Sequence, residues 1–249
     1  MNSFPLPAVL LTALQENHVF NRQGQRVPLH SNVSLEEAET LYRAVRTLQP
    51  QASVEIGFAQ GISATALLKA MADSGTGIHH IIDPFQARFE EAGLMMVDKA
   101  GLTSRMRFYR QFAEETVPSL PPIQFAFIDS SHLFDLSLHE FVMVDKKLEA
   151  GGVIAFHDTW MPSLQKVIRY LLTNRSYRIR RDFQPAPRAF TKRERCKLTL
   201  AHWMRHLPAC NELFNPECLQ PWCGFQLENL VFLEKIKHDE RDWQFHATF

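Results

Sequence analysis

The stretch Val54–Ala64, "VEIGFAQGISA", decides the fold. An apolar run ends in a turn carrying Gly57 and Gly61, and a helical pattern, "SATALLKAMADSG", follows at once. Strand, glycine turn and helix make a cradle for a nucleotide-like ligand, because glycine admits close backbone approach and a helix N-terminus offers free N–H groups. Spacing says which ligand. The dinucleotide fingerprint G-x-G-x-x-G fails twice, since its second and third slots hold Ala59 and Ile62. The G-x-x-x-x-G-K of a phosphate loop is absent too. What stands is an acid-x-Gly-x-Ala-x-Gly pattern, Glu55 to Gly61.

Around this stretch, apolar runs alternate with helical patterns from Pro50 to Phe183. Strands are expected at 52–58, 77–85, 105–111, 123–129, 151–158 and 177–183. The helical segment after the fourth strand carries Phe134, Leu138, Phe141, Val142 and Leu148 at helical period and is expected to stop at Gly151-Gly152. Such alternation predicts an α/β fold, a mostly parallel sheet covered on both faces. Ahead of it, Ser34 and Glu37 form a capping-box pattern opening the helix "LEEAETLYRAVRTL", which Pro50 closes. The resulting division is an N-terminal helical segment (1–50), a ligand-binding core (51–183), a Cys/Arg/Pro-rich insertion (184–226) with one amphipathic helix, "RERCKLTLAHWMRHL", and a closing strand with its tail (227–249).

Composition excludes several classes. Lysine plus arginine and aspartate plus glutamate number 27 each, so no global charge points to nucleic acid or membrane. The N-terminus lacks the basic flank of a signal peptide, and no run approaches the roughly 20 apolar residues of a spanning helix. Four cysteines in 249 residues do not suggest a secreted disulfide framework. A soluble, cytoplasmic protein is expected.

The acid-x-Gly-x-Ala-x-Gly turn resembles the first motif of class I S-adenosylmethionine-dependent methyltransferases, with alanine in the middle glycine slot. The next strand ends in "IIDPF", so Asp83 falls where such enzymes hold ribose hydroxyls; a carboxylate accepts two bonds from a vicinal diol. Together with "FAFIDSSHLFD" and "LEAGGVIAFHDT", the set resembles the branch with an IDG-x-H motif that includes catechol-type and antibiotic-sugar O-methyltransferases. The resemblance covers roughly residues 30–183. It implies a Rossmann-like sheet of order 3-2-1-4-5-7-6, its last strand antiparallel, with the insertion before that strand. It further implies S-adenosyl-L-methionine held by Glu55, Gly57, Ala59, Gly61, Ser63, Asp83, Pro84 and Phe85.

The chemistry is expected at strand ends four and five. An alcohol acceptor is hardly ionised near neutral pH and needs a base, a metal, or both. By position Asp129 matches the branch's metal-binding aspartate, and His132, three residues on, its suspected base. Asp129, His157 and Asp158 are the candidate ligands of a divalent cation. Histidine at 157, where the branch has an oxygen ligand, makes Mg2+ less natural and leaves two alternatives open, Mn2+ or no metal at all. Ser130-Ser131 departs from the branch's glycine-polar pair. The plainer alternatives are that Asp129, Ser130 or Ser131 caps the following helix and His132 packs beside Phe134. His79-His80 reads as sheet surface.

Between Arg175 and Arg205 ten basic residues face two acids, Asp182 and Glu194. This is either a charged guard on a strand edge or a rim for an anionic acceptor; aromatic interleaving for nucleic acid is lacking. Cys196, Cys210, Cys218 and Cys223 contain no C-x2-C knuckle and read as buried free thiols rather than a zinc site. Trp243, Phe245 and Phe249 are expected to pack within the chain or across a homodimer. The acceptor expected is a small molecule or glycan. An NAD(P)-dependent oxidoreductase and a non-catalytic S-adenosylmethionine-binding module are the rival functions.

Overall fold

The computed structural model describes residues 5–183, 192–204, 206–207 and 229–247. Its centre is a seven-stranded sheet formed by β3 (Ala52–Ile56), β4 (Ile78–Ile82), β5 (Met106–Tyr109), β6 (Ile123–Ile128), β7 (Leu148–His157), β8 (Tyr177–Ile179) and β9 (Leu230–Lys235). The order is β5-β4-β3-β6-β7-β9-β8. Numbered from β3, that is the expected 3-2-1-4-5-7-6. Strands β3 to β7 pair in parallel, while β9 runs antiparallel to both β7 and β8.

Burial explains the strand sequences. All five residues of β3 are buried, and β6 is buried at every position except Gln124, as befits strands covered on both faces. Phe125 and Phe127 point to one face, Ala126 and Ile128 to the other, and each joins a separate apolar cluster. On the first face lie α1 (Ala8–Glu16), α2 (Leu35–Leu48), α3 (Ile62–Ser74) and α4 (Ala92–Lys99) around Leu41, Val45, Leu67 and Met71. On the second lie α5 (Ala113–Thr116), α6 (Phe134–Asp145) and α7 (Pro162–Asn174) around Phe141, Val144, Val167 and Leu171. The order reverses between β3 and β6, so the loops leaving those two strands part and open a crevice.

The N-terminal segment is more than helical. Between α1 and α2 a hairpin pairs β1 (His18–Phe20) with β2 (Arg26–Pro28), its turn held by Asn21 Oδ1, which accepts from the amides of Gln23 and Gln25 at 3.1 and 2.8 Å. The capping box of α2 is present as expected: Ser34 Oγ accepts from the Glu37 amide, and Glu37 accepts from the Ser34 amide. Helix α6 stops at Asp145, short of the expected exit, and Leu148 opens β7 instead. Leu148 pairs with Ile123, and a register shift between Ile123 and Phe125 absorbs Gly151-Gly152. A Cβ at Gly152 would meet Leu148 Cδ1 at 2.8 Å, so glycine serves a bulged strand rather than a helix exit.

His79 and His80 are not sheet surface: they are 0% and 8% exposed, shut between β3 and β5. At the opposite end of the sheet from the crevice, Lys235 Nζ donates to the carbonyls of Asp145 and Leu148 at 2.5 and 2.9 Å. The Asp145 carboxylate also takes Tyr177 Oη at 2.6 Å and Arg175. Three of the ten basic residues of that stretch are paired within the chain: Arg175 with Asp145 and Asp239, Arg178 with Glu234, Arg180 with Asp182 and Glu234. Helix α8 (Lys192–Met204) forms where a helix was expected, but Leu200 and Trp203 on it are exposed, as is Cys196, so no buried apolar face is seen among its described residues. Cys210, Cys218, Cys223 and Phe249 lie outside the described residues. Trp243 is 87% exposed, and Phe245 packs under the Arg241 guanidinium. Among the described residues no helix is long and apolar enough to cross a membrane.

Candidate active site

The crevice is a cavity of about 920 Å3 at the carboxyl ends of β3, β4, β6 and β7. It gathers Gly57, Ala59, Gly61, Ser63, Asp83, Pro84, Phe85, Asp129, His132, His157 and Asp158 in its walls. Glu55 is the one sequence-derived site residue that does not line it.

The glycine turn is shaped by close approach. Gly57 has φ +93°, and a Cβ there would stand 2.0 Å from the carbonyl oxygen of Asp129. Only glycine lets the turn after β3 lie against the end of β6. Gly61, φ +82°, caps α3, and Ile62 and Ser63 of that helix's first turn line the cavity; first-turn N–H groups have no helical acceptor. Asp83 stitches the turn to β4: Oδ2 accepts from the amides of Phe58 and Ala59 at 3.2 and 3.1 Å, and Oδ1 from Phe85 at 2.7 Å. A second lone pair on Oδ1 remains for a ligand hydroxyl.

Glu55 sits beneath the turn, fully buried. Its oxygens are taken by Ser63 Oγ at 2.5 Å and His79 Nε2 at 2.9 Å, while His79 Nδ1 meets Ser53 Oγ at 2.8 Å. Burial pushes its carboxyl up, against the histidine and serine bonds. Glu55 therefore supports Ser63, which does face the cavity. Two glutamines complete this half. Gln86 bonds the carbonyl of Ala59 and the amide of Gly93 at 2.8 and 3.1 Å. Gln60 clamps the carbonyl of Pro28 and the amide of His30 at 2.9 and 2.7 Å, holding residues 31–33 over the cavity. Neither was legible beforehand, because a lone buried amide has no spacing signature.

The other half holds a cluster of Asp129, His132, His157 and Asp158, with one potential ligand atom from each lying within 4.8 Å of the rest. His132 Nε2 stands 3.1 Å from Asp129 Oδ1 and 3.2 Å from Asp158 Oδ2. His157 Nδ1 stands 3.3 Å from Asp129 Oδ1 and 3.7 Å from Asp158 Oδ2. The backbone is bent to achieve this: His132 and Asp158 both have left-handed φ, 58° and 53°, a conformation costly for side-chain-bearing residues and concentrated at functional sites. Ser163 Oγ donates to the His132 carbonyl at 2.6 Å, and Trp160 Nε1 to Asp158 Oδ1 at 2.9 Å, fixing both turns.

The electrostatics are strongly coupled. Burial raises the Asp129 carboxyl, but bonds to His132 and His157 outweigh it and hold it at about 2. The bond to Asp129 raises His132 against burial. Burial lowers His157, yet Asp129 and Glu37 on its two sides carry it up to about 10. Nearby, burial pushes the Glu140 carboxyl up to about 7, although Ser130 Oγ donates to it at 2.5 Å. Ser130 thus faces α6, and neither plain alternative for this loop applies as stated: the N-cap of α6 is Leu133 with no side-chain cap bond, and His132 points at carboxylates.

The residues fit a divalent cation. Two carboxylates and an imidazole converge, with His157 Nδ1 3.3 and 3.7 Å from the two acids. The mixed nitrogen and oxygen set suits Mn2+ better than Mg2+.

Residues 54–159 match the family model of a methyltransferase domain. No curated protein matches the sequence. Among solved structures, the chain is similar to the SAH-bound methyltransferase PaMTH1 of Podospora anserina (18% identity, TM-score 0.58, 72% of this chain and 84% of that one). It is similar to an O-methyltransferase from Bacillus cereus in complex with SAH (19%, TM-score 0.57, 72% and 84%). It is also similar to the O-methyltransferase TomG of Streptomyces achromogenes, involved in tomaymycin synthesis and in complex with SAM (20%, TM-score 0.52, 66% and 75%). At these identities the likeness carries the fold.

Proposed function

We propose that the chain, a class I S-adenosylmethionine-dependent methyltransferase by its fold and by the methyltransferase domain matched over residues 54–159, moves the methyl group onto a hydroxyl of a small molecule or glycan. The observation that carries the O-methylation reading is the Asp129–His132–His157–Asp158 cluster beside the donor cradle in one cavity.

The donor lies along the glycine turn, with α3's first amides and Ser63 at one end and Asp83 Oδ1 at the ribose. The acceptor hydroxyl lies at the cluster. Its oxygen attacks the methyl carbon in line, and the carbon–sulfur bond breaks with its electron pair staying on sulfur, giving a methyl ether and S-adenosylhomocysteine. The hydroxyl proton passes to His132. With Nε2–H held by Asp129 and Asp158, Nδ1 is the atom that receives it, and the two carboxylates stabilise the imidazolium that results. Asp129, Asp158 and His157 would hold a divalent cation, which when bound lowers the hydroxyl's pKa. The protein's remaining work is alignment and exclusion of water.

The walls bear on the acceptor's charge. Asp83, Glu114, Asp129, Glu140 and Asp158 line the cavity, and among the described residues no lysine or arginine does. An acceptor uncharged or cationic where it enters the cavity fits this better than an anionic one. A second, metal-free reading is favoured by His157 alone: between Glu37 and Asp129 an imidazolium is well accommodated without a cation.

The test is methyl transfer from labelled S-adenosylmethionine across sugars, catechols and amines, with Mn2+ and with EDTA. The proposal expects hydroxyl acceptors and loss of turnover in EDTA. Undiminished turnover in EDTA selects the metal-free reading, and methylation confined to amines sinks the O-methyltransferase assignment.

A further inference from the structure

Beneath the glycine turn runs a chain of four buried polar side chains. It starts at Ser63 and passes through Glu55 and His79 to Ser53, crossing from β3 to β4 and back. Ser63 Oγ stands 2.5 Å from Glu55 Oε1, His79 Nε2 2.9 Å from Oε2, and Ser53 Oγ 2.8 Å from His79 Nδ1. Of the four, Ser63 alone lines the cavity.

The protons along this chain fix its polarity. A contact of 2.9 Å between Nε2 and Oε2 needs a proton between them, whichever atom carries it. A second proton goes to Nδ1, because imidazole is ordinarily a stronger base than a carboxylate and Ser53 Oγ stands there to accept. Oε1 is left bare, and Ser63 commits its only hydroxyl proton to it. Toward a ligand, Ser63 therefore offers lone pairs and no proton. The acid behind the hydroxyl polarises it and adds negative charge, which favours a cation and opposes an anion.

The amino-acid end of S-adenosylmethionine carries both an ammonium and a carboxylate. We propose that Ser63 takes the ammonium, and that His79 is the positioning residue behind it, keeping any proton of Glu55 off Oε1 so that the serine can only accept. The carboxylate is left to the first-turn amides of α3. This rests on the donor lying with its amino-acid end at Ser63. Burial pushes the Glu55 carboxyl up, and the bond from His79 is the strongest opposition to that. Without His79, a protonated Oε1 donates to Ser63 and turns the serine's own proton toward the ligand.

Calorimetric titration compares S-adenosylhomocysteine with its deamino analogue, in which hydrogen replaces the α-amino group. The wild type should bind S-adenosylhomocysteine about 10–100-fold more tightly than the analogue, the worth of a hydrogen bond to a charged group. Ser63→Ala and His79→Phe should each lose most of that preference while binding the analogue as the wild type does. Glutamine at 79 can still donate to Oε2, so His79→Gln should keep the preference. A preference undiminished in His79→Phe, or a loss equal for both ligands, would overturn the role of His79. A wild type that does not distinguish the two ligands, or a Ser63→Ala that still does, would overturn the proposal whether or not His79→Phe folds. A wild type that binds neither ligand overturns the donor reading itself.

Discussion

Alanine at position 57 would place a methyl carbon 2.0 Å from the carbonyl oxygen of Asp129 and 2.7 Å from its carbonyl carbon. Neither backbone is free to yield. The Gly57 amide is bonded to Ile82 and the Asp129 amide to Ile56, at 3.0 and 2.9 Å. The left-handed φ adds about 1–2 kcal/mol for a residue with a Cβ, and forcing a methyl into a packed contact adds about 1–3 kcal/mol. The sum, about 2–5 kcal/mol, is a large part of the roughly 5–15 kcal/mol that holds a domain folded. At roughly 2–4 °C per kcal/mol for a chain of this size, Gly57→Ala should melt about 4–20 °C lower. Because the displaced atom belongs to Asp129, turnover should fall more than donor affinity; a misplacement near 1 Å costs on the order of 100-fold. Scanning calorimetry and S-adenosylhomocysteine titration measure both. Gly24→Ala is the control: it shares a positive φ, but nothing lies within 4 Å of its added Cβ, so only backbone strain remains. A Gly57→Ala protein that melts within about 2 °C of wild type and binds the donor product equally well would refute the close-approach argument.

Three further outcomes are expected. His132→Gln should lower kcat by about 100- to 10,000-fold while leaving S-adenosylhomocysteine affinity within about twofold, since a base acts on the acceptor and not on the donor; equal losses in both would contradict its role. Lys235→Met removes the ammonium that Asp145 and two carbonyls share in the core, and should cost about 3 kcal/mol in urea unfolding without touching the cleft. For Glu140, burial raises the carboxyl from the ordinary 4.5 to about 7, so the folded state binds its proton more tightly than the unfolded one. The stability this contributes is fully present below 4.5 and is lost as pH rises through 7, so Glu140→Gln should melt higher than wild type at pH 8 and equally near pH 4.5. A lower melting temperature for this variant at pH 8 would contradict the sign.

The parts of the fold that were legible are those where burial on both faces writes long apolar runs: Ala52–Ile56, Ile123–Ile128 and Leu230–Lys235. The turns between strands and helices were legible where chemistry restricts the residue, as at Gly57 and Gly61. Boundaries failed where two periodicities overlap. Leu148 fits the helical spacing of α6, but its pairing with Ile123 puts it in β7. The β1–β2 hairpin escaped because strands of three residues carry no readable alternation. His79 was misassigned because its partner Glu55 lies on the neighbouring strand, 24 residues away, and cross-strand pairs leave no local trace. The same holds for the site: Asp129, His132, His157 and Asp158 stand at strand ends and could be anticipated. Glu37 and Asn229 reach it from elsewhere in the chain; Gln60 and Gln86 adjoin predicted site residues, but only the folded arrangement shows what their amides hold.

Donor binding turns on the glycine turn and Asp83, and calorimetric titration of the purified chain with S-adenosylhomocysteine and, in parallel, with NAD reads it out. One S-adenosylhomocysteine should bind per chain, more weakly in Asp83→Ala, with no heat from NAD; binding of NAD with none of S-adenosylhomocysteine would show that the turn holds a different ligand.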